Sequence, residues 1–248
     1  LWGTYYGGTG FDQRISCAIG ASGNVYLAGN TNSTTGIATT GAHQTSLGNR
    51  SGNAFLVKFN SSGVRQWGTY YGGTGTDYGR SCATDASGNV YLAGYTRSTT
   101  GIATTGAQVA TYGGLTDAFL VKFNSSGVRQ WGTYYGGTGF DNGQSCATDT
   151  SGNVYLAGPT KYSFAGITTA GAHQITYAGG PDDAYLVKFN SNGVRQWGTY
   201  YGGTGADGGQ SCATDASGNV YLTGTTSSTT GIATTGAHRT TKGNANYT

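Results

Sequence analysis

Short apolar stretches of β-strand length alternate along the chain with stretches rich in Gly, Ser, Thr and Asn. In one of them, Phe119, Val121 and Phe123 would share one face of a strand, and the side chains between them would take the other face. No segment has the three-to-four-residue periodicity of an amphipathic helix. Abundant Thr, Val, Tyr and Gly also oppose helix formation. The pattern predicts an all-β protein.

Residues 67–135 show how the strands are connected. A tight hairpin is predicted at Asp85-Ala-Ser-Gly-Asn89, because Asp can bond its own downstream backbone and Gly88 can adopt the positive φ of such a turn. A long connection rich in Thr, Ser and Gly follows from about residue 95 to 116. The predicted strands of this part of the chain are residues 80–85, 89–94, 117–124 and 128–135.

This arrangement occurs four times. The sequence Trp-Gly-Thr-Tyr-Tyr-Gly-Gly-Thr-Gly begins at Trp2, Trp67, Trp131 and Trp197, which are the four tryptophans of the protein. A repeat of this length indicates one supersecondary unit per repeat, with neighbouring units stacked on one another. We therefore treat the chain as a single domain, 1–248, with four repeats at approximately residues 2–66, 67–130, 131–196 and 197–248.

Four antiparallel strands per unit, repeated in tandem, predict a β-propeller with one blade per unit. The small residues of the first strand suit an innermost position. The chain begins within a fourth strand, and residues 243–248 align loosely with the start of a third strand at 52–57. We therefore expect a closed ring of four blades of four antiparallel strands, in which the N-terminal strand completes the last blade and removes an exposed edge. The alternative is a fragment of a larger propeller.

Three sequences carry a resemblance to a known family. They are Ser-Cys-Ala-Thr-Asp-Ala-Ser-Gly-Asn-Val-Tyr-Leu-Ala-Gly at 81–94, Thr-Thr-Gly-Ala-His-Gln at 39–44 and the repeated Trp-Gly-Thr-Tyr-Tyr-Gly-Gly-Thr-Gly. All three resemble the bacterial SBBP repeat, named for seven-bladed β-propellers. The resemblance extends over essentially the whole chain. It implies a propeller fold and a secreted, periplasmic or cell-surface location, and it brings no established chemistry. The chain shows four repeats where the family name implies seven.

Composition narrows the choice of partners. The formal net charge is +3, only 9% of residues are charged, and the repeated Lys and Arg residues are spread evenly. A nucleic-acid partner is not predicted, because the basic patch of such proteins is missing. No apolar run approaches the roughly 18 residues of a membrane span. The oligomeric state stays open.

The cysteines follow the repeat, with one per unit at Cys17, Cys82, Cys146 and Cys212. Equivalent positions of neighbouring units are expected to lie too far apart for a disulfide. The sequence predicts four buried thiols that behave as small apolar side chains. A four-cysteine metal ring on the symmetry axis is the alternative.

Strand parity places the long connections and the glycine-rich loops at one end of the ring, which we take as the candidate binding face. Repeated polar and aromatic residues on this face are the candidate ligand contacts: Asp12, Asp77, Asp141 and Asp207; Tyr6, Tyr71, Tyr135 and Tyr201; and His43, His173 and His238, with Gln108 in the second unit. Loop capping is the alternative for the Asp residues, blade packing for the Tyr residues, and hydrogen bonding for the His residues. No metal or other cofactor is predicted. Calcium at the Asp85, Asp149 and Asp215 turns is an alternative that the spacing does not support.

The repeats differ little, whereas propeller enzymes usually break their symmetry at the active site. No Ser/His/Asp or Cys/His set stands apart from the repeat. We therefore predict that the protein is not an enzyme. The leading hypothesis is a non-catalytic secreted or cell-surface binding module that recognises carbohydrate at several equivalent sites, with a glycan or a surface protein as partner. The alternative is a structural or protein-interaction scaffold with no small-molecule ligand.

Overall fold

A computed structural model describes residues 1–48, 51–162 and 166–243, except for the side chain of Arg14. This part of the chain contains β-strands, turns and connections, and none of it forms a helix that could cross a membrane. The all-β prediction is confirmed. The strands are β1 (Asp12–Ile19), β2 (Val25–Thr31), β3 (Asn53–Phe59), β4 (Arg65–Tyr71), β5 (Asp77–Thr84), β6 (Val90–Thr96), β7 (Asp117–Phe123), β8 (Arg129–Tyr135), β9 (Ser145–Thr148), β10 (Val154–Thr160), β11 (Asp183–Phe189), β12 (Arg195–Tyr201), β13 (Asp207–Thr214) and β14 (Val220–Thr226).

The strands form four antiparallel sheets. Sheet 1 contains β1 to β4, sheet 2 contains β5 to β8 and sheet 3 contains β9 to β12, each in sequence order. Sheet 4 contains β13 and β14. Three sheets therefore have the predicted four strands, an arrangement consistent with a propeller.

The hairpin between the first two strands of a sheet forms as predicted. In sheet 2, Asp85 N donates to Asn89 O at 3.0 Å and Gly88 N donates to Asp85 O at 3.0 Å. Gly88 has a φ of 78°, which glycine adopts without steric cost. The Asp85 side chain accepts hydrogen bonds from Ser87 N and Asn89 N, and these bonds fix the turn.

Neighbouring sheets pack face to face, so their strands are buried on both sides. Every residue of β7 is buried. Phe119 and Phe123 of this strand contact Tyr71 of sheet 1, with ring centroids 5.2 and 5.9 Å apart. Such aromatic pairs add about 0.5–1.5 kcal/mol each to the free energy gained by burial alone. The core of the protein thus lies between sheets.

The first strands of successive sheets also contact each other, as expected for innermost strands. Cys82 N donates to Ser16 Oγ at 3.1 Å, and the same bond links the next two pairs of sheets. Glycine permits this close approach, because a Cβ on Gly79 would lie 2.9 Å from Gly29 O of sheet 1.

Two predictions need correction. The first strand of sheet 2 begins at Asp77 rather than at residue 80, because the Asp77 side chain is held at the edge of the sheet by Thr96 and Ser98. Cys17 is exposed, whereas Cys82, Cys146 and Cys212 are buried and free. Each buried thiol lies beside a serine of the preceding sheet, and among the described residues no such sheet precedes β1.

The predicted closure of a four-bladed ring is not confirmed. Residues 1–8 form no strand, and they pack against sheet 1, where Trp2 lies 6.1 Å from Phe59 and donates to Ser61 O. Among the described strands, β14 pairs with β13 alone. The predicted start of a third strand at 244–248 lies outside the described residues.

Candidate functional site

The four repeated aspartates, Asp12, Asp77, Asp141 and Asp207, hold the glycine-rich loops. Asp77 accepts hydrogen bonds from Ser98 Oγ at 3.0 Å and Gly73 N at 2.9 Å, and also from Thr96 Oγ1. Asp12 has the same three kinds of partner, in Thr31, Ser33 and Gly8. Asp77, Asp141 and Asp207 are almost fully buried. These contacts support the loop-capping alternative over direct contact with a ligand.

Burial also changes the acidity of these carboxyl groups. Desolvation raises the pKa of Asp77 to about 6, against the opposing effect of the hydrogen bonds from Thr96, Ser98 and Gly73. It raises the pKa of Asp141 to about 6 as well. A carboxyl group that is buried without a cation is expected to shift in this direction.

Two of the four repeated aspartates have a second carboxyl group nearby. The sequence reasoning missed this second group. Asp117 and Asp183 are fully buried and stand where sheet 1 has Asn53. Desolvation and the charge of Asp141 raise the pKa of Asp117 to about 6. Its Oδ1 has no hydrogen-bond partner among the described residues. The equivalent residues of the first three units are Asn53, Asp117 and Asp183. This change from Asn to Asp was the signal available in the sequence.

The second tyrosines of the repeated motif lie between neighbouring units. Tyr71 and Tyr135 are fully buried, and their hydroxyl groups donate to the backbone oxygens of Ile102 and Ile167 at 2.8 and 2.9 Å. Tyr6 and Tyr201 make the same bond to Ile37 and Ile232. Desolvation strongly raises the pKa of Tyr71 and Tyr135. The geometry supports the packing alternative.

His43 and His173 each pack against one of these tyrosines, and the three histidines do not converge. The ring of His43 lies 6.0 Å from Tyr71 and 5.7 Å from Phe123. Although the residue is exposed, desolvation of the ring and the charge of Arg129 lower its pKa to about 4. His173 stacks on Tyr201 at 5.6 Å, and His238 is exposed. In the described ranges no three His, Cys, Asp or Glu side chains are grouped to hold a metal ion.

An apolar surface concavity beside sheet 4 was also missed from sequence. A cavity of about 750 Å³ opens between sheets 3 and 4, lined by Trp197, Tyr201, Val220 and Tyr221, with His173 at its side. In sheet 1 the residues equivalent to Trp197 and Tyr201 contact Phe123 of sheet 2 at 6.4 and 5.9 Å. The cavity therefore corresponds to a place that aromatic side chains fill elsewhere in the molecule.

Comparison with known proteins gives one family and one described structure. Residues 66–101 match the β-propeller repeat family SBBP. Among curated proteins, no sequence matches the chain. A gluconolactonase from Xanthomonas campestris is similar in structure, with a TM-score of 0.42 and 10% sequence identity, over 90% of this chain and 58% of that one. The chain thus spans less than two thirds of that protein.

The structural comparison contradicts the prediction of a non-catalytic binding module, because the matched protein is an enzyme. The exclusion of catalysis from repeat symmetry is corrected accordingly. At this identity and TM-score the match assigns no activity to the chain. Carbohydrate recognition likewise has no support in the described contacts, since the repeated Asp and Tyr residues are bonded within the protein.

The family resemblance, in contrast, is confirmed. The matched segment begins in β4 and extends past β5 and β6, so it includes the innermost hairpin of sheet 2. The same residues recur in the neighbouring units and form the same hairpin in sheets 3 and 4. The chain contains the β-propeller repeat of the SBBP family.

Proposed function

We propose that the chain supplies consecutive blades of a β-propeller with more than four blades, and that sheet 4 becomes a complete blade when β14 pairs with a third strand. The cavity of about 750 Å³ beside β14 carries this proposal. Its lining is mainly apolar, and Tyr221 in it is 54% exposed, whereas the equivalent Tyr91 and Tyr155 are buried. Strand edges with an uncovered apolar face favour pairing with another strand.

The rest of the molecule indicates which strand would fit. In sheets 1 to 3 the third strand carries aromatic residues four positions apart: Phe55 and Phe59, Phe119 and Phe123, and Tyr185 and Phe189. These side chains are buried against the tyrosine of the preceding motif, for example Tyr135 against Tyr185 at 5.3 Å. A strand of the same repeat would place two such rings against Trp197 and Tyr201.

The opposite end of the array supports a ring of more than four blades. Cys17 is exposed and Ile19 is 72% exposed on β1, where the equivalent Cys82 is covered by the preceding sheet. Closing a ring of four would bring β13 against β1. In the described part of the chain these two strands make no contact comparable to that of β1 with β5.

The proposal is tested by extending the chain after Gly243 with a copy of residues 49–71. Burying two Phe side chains contributes about 1.5–3 kcal/mol each, and 1 kcal/mol raises Tm by about 2–4 °C at this size. We expect a rise in Tm of at least about 6 °C and loss of dye binding to exposed apolar surface. The control is the same extension with Ser in place of the copies of Phe55 and Phe59.

Equal Tm values for the two extended chains would refute strand docking. The reactivity of Cys17 then reports the number of blades. In a ring of more than four blades this thiol stays reactive in the extended chain. Its protection in a monomer would instead indicate closure with four blades.

A further inference from the structure

The hairpin between the first two strands lacks its acidic residue in one sheet. Asp85, Asp149 and Asp215 begin this turn in sheets 2, 3 and 4, whereas sheet 1 has Gly20. The Ser, Gly and Asn residues that follow in the turn are the same in all four. The chain thus contains an internal comparison between a turn with a carboxylate and one without.

In sheet 2 the Asp85 carboxylate is surrounded by donors. Oδ1 accepts from Ser87 N at 3.0 Å and Asn89 N at 2.9 Å. Oδ2 accepts from Asn89 Nδ2 at 2.8 Å and Tyr91 OH at 3.2 Å. Lys122 Nζ lies 4.0 Å away, and in sheet 3 the equivalent Lys188 Nζ lies 3.3 Å from Asp149. The environment is therefore built for an anion.

Sheet 1 keeps this environment without the carboxylate. The backbone of the turn is the same, with Gly20 N donating to Asn24 O at 2.9 Å. Tyr26 OH donates to Gly88 O at 3.4 Å, as Tyr91 OH does to Gly152 O. Lys58 Nζ donates to Ser125 O at 2.9 Å, as Lys122 Nζ does to Ser191 O at 3.0 Å.

Space for an anion is present at the same place. A Cβ added to Gly20 would meet Tyr26 at 3.4 Å, an ordinary contact. A cavity of about 280 Å³ lies there, lined by Gly20, Ser22, Asn24, Tyr26 and Lys58. A water molecule occupies about 30 Å³ in the liquid, so a carboxylate with a short chain can enter.

The charges around this cavity also favour an anion. Burial lowers the pKa of Lys58 with no carboxylate opposing it, whereas the charge of Asp85 opposes the effect of burial on the pKa of Lys122. Asp85 of sheet 2, whose charge raises the pKa of Tyr26, is already bonded to Asn89 and Tyr91. Lys58 of β3 therefore supplies a positive charge that no side chain of the turn at residues 20–24 balances.

We propose that this cavity of sheet 1 binds a small monocarboxylate anion, whose oxygens take the place of the Asp85 carboxylate. The donors are Ser22 N, Asn24 N and Nδ2, the hydroxyl of Tyr26 and the ammonium of Lys58. These are the same atom types that hold Asp85 and Asp149.

Acetate is the probe for the test. Saturation-transfer NMR on the acetate methyl group, with sodium chloride at equal ionic strength as reference, measures contact directly. Thermal unfolding gives a second measurement. A ligand at ten times its Kd stabilises the native state, and the corresponding rise in Tm is about 3–6 °C at this size. The Gly20→Asp variant fills the site with the residue that the other three units contain, and in it both effects should disappear.

Two further variants sharpen the comparison. Lys58→Met should weaken acetate binding at least tenfold. Lys122→Met, on β7 beside a turn that keeps its Asp, should leave acetate binding unchanged. Asp149→Gly should create a second acetate site beside Lys188. The proposal is overturned by equal acetate effects in the natural protein and Gly20→Asp, by no effect in either, or by a preference for inorganic phosphate over acetate.

Discussion

Replacing Asp117 by Asn should stabilise the protein at neutral pH. Asp117 is fully buried, and desolvation together with the charge of Asp141 raises its pKa from 3.8 to about 6. The Asn53 amide at the equivalent position of sheet 1 instead donates to Asp77 Oδ2 at 3.4 Å. The amide introduced by Asp117→Asn can make this bond to Asp141. Its oxygen can still accept from Gly113 N, which in the natural protein donates to Asp117 Oδ2 at 2.8 Å.

The size of the effect follows from the change in pKa. A shift from 3.8 to about 6 corresponds to on the order of 2–3 kcal/mol at 1.36 kcal/mol per pH unit. The native carboxyl group keeps its proton up to about pH 6, and the unfolded group loses it near pH 4. Between these values the native state binds more protons, so stability falls as pH rises. The gain from Asp117→Asn should therefore be near zero at pH 4 and reach its full size above pH 6.

Urea unfolding followed by tryptophan fluorescence between pH 4 and pH 8 measures this profile. The matched control is Asn53→Asp, which places a second carboxyl group beside Asp77 and should lower stability above pH 6 by a similar amount. A gain in Asp117→Asn that is equal at pH 4 and pH 8 would show that the buried charge is not its cause. An Asn53→Asp variant as stable as the natural protein at pH 8 would contradict the reasoning independently.

Three further predictions concern packing and access. Phe119→Ala should lower the free energy of unfolding by about 3–5 kcal/mol, because this ring is fully buried against Tyr71; an effect below 1 kcal/mol in urea unfolding would contradict the packing of sheets 1 and 2. Gly94→Ala should destabilise the protein by several kcal/mol and lower its Tm, because the added Cβ would overlap Tyr78 O. The control is Gly106→Ala, which has open space around it but a φ of 77° and should cost only about 1 kcal/mol. An aromatic disulfide reagent at pH 8 should modify Cys17 quickly and the other three cysteines only on unfolding. These three thiols are buried, and desolvation raises the pKa of Cys82 to about 12. More than one fast-reacting thiol would refute the assignment of exposure.

The local sequence pattern was sufficient to predict the strands and their hairpins. Alternating apolar residues predicted residues 117–124, and β7 covers Asp117–Phe123. The turn at Asp85 forms with the predicted glycine conformation, because Gly88 adopts the positive φ and the Asp85 side chain bonds the backbone within five residues. Such features depend on neighbours along the chain and can be read from it.

The roles of the repeated side chains could not be assigned in this way. Asp77 looked like a candidate ligand contact, but its oxygens are taken by Thr96 and Ser98, about twenty residues further along. Tyr71 looked like a rim residue, but its hydroxyl group is bonded to Ile102 O inside an interface. Exposure and hydrogen bonding at these positions depend on which sheets lie face to face.

The sequence by itself determined the repeat, the strands, the hairpins and the family resemblance, because periodicity and turn chemistry are local properties. Only the tertiary structure decided that residues 1–8 pack on sheet 1, that β1 and β14 keep uncovered faces, and that Asp117 is buried near Asp141. The physical reason is that burial and the pairing of distant groups arise between sheets, and no residue carries that information in its own surroundings along the chain.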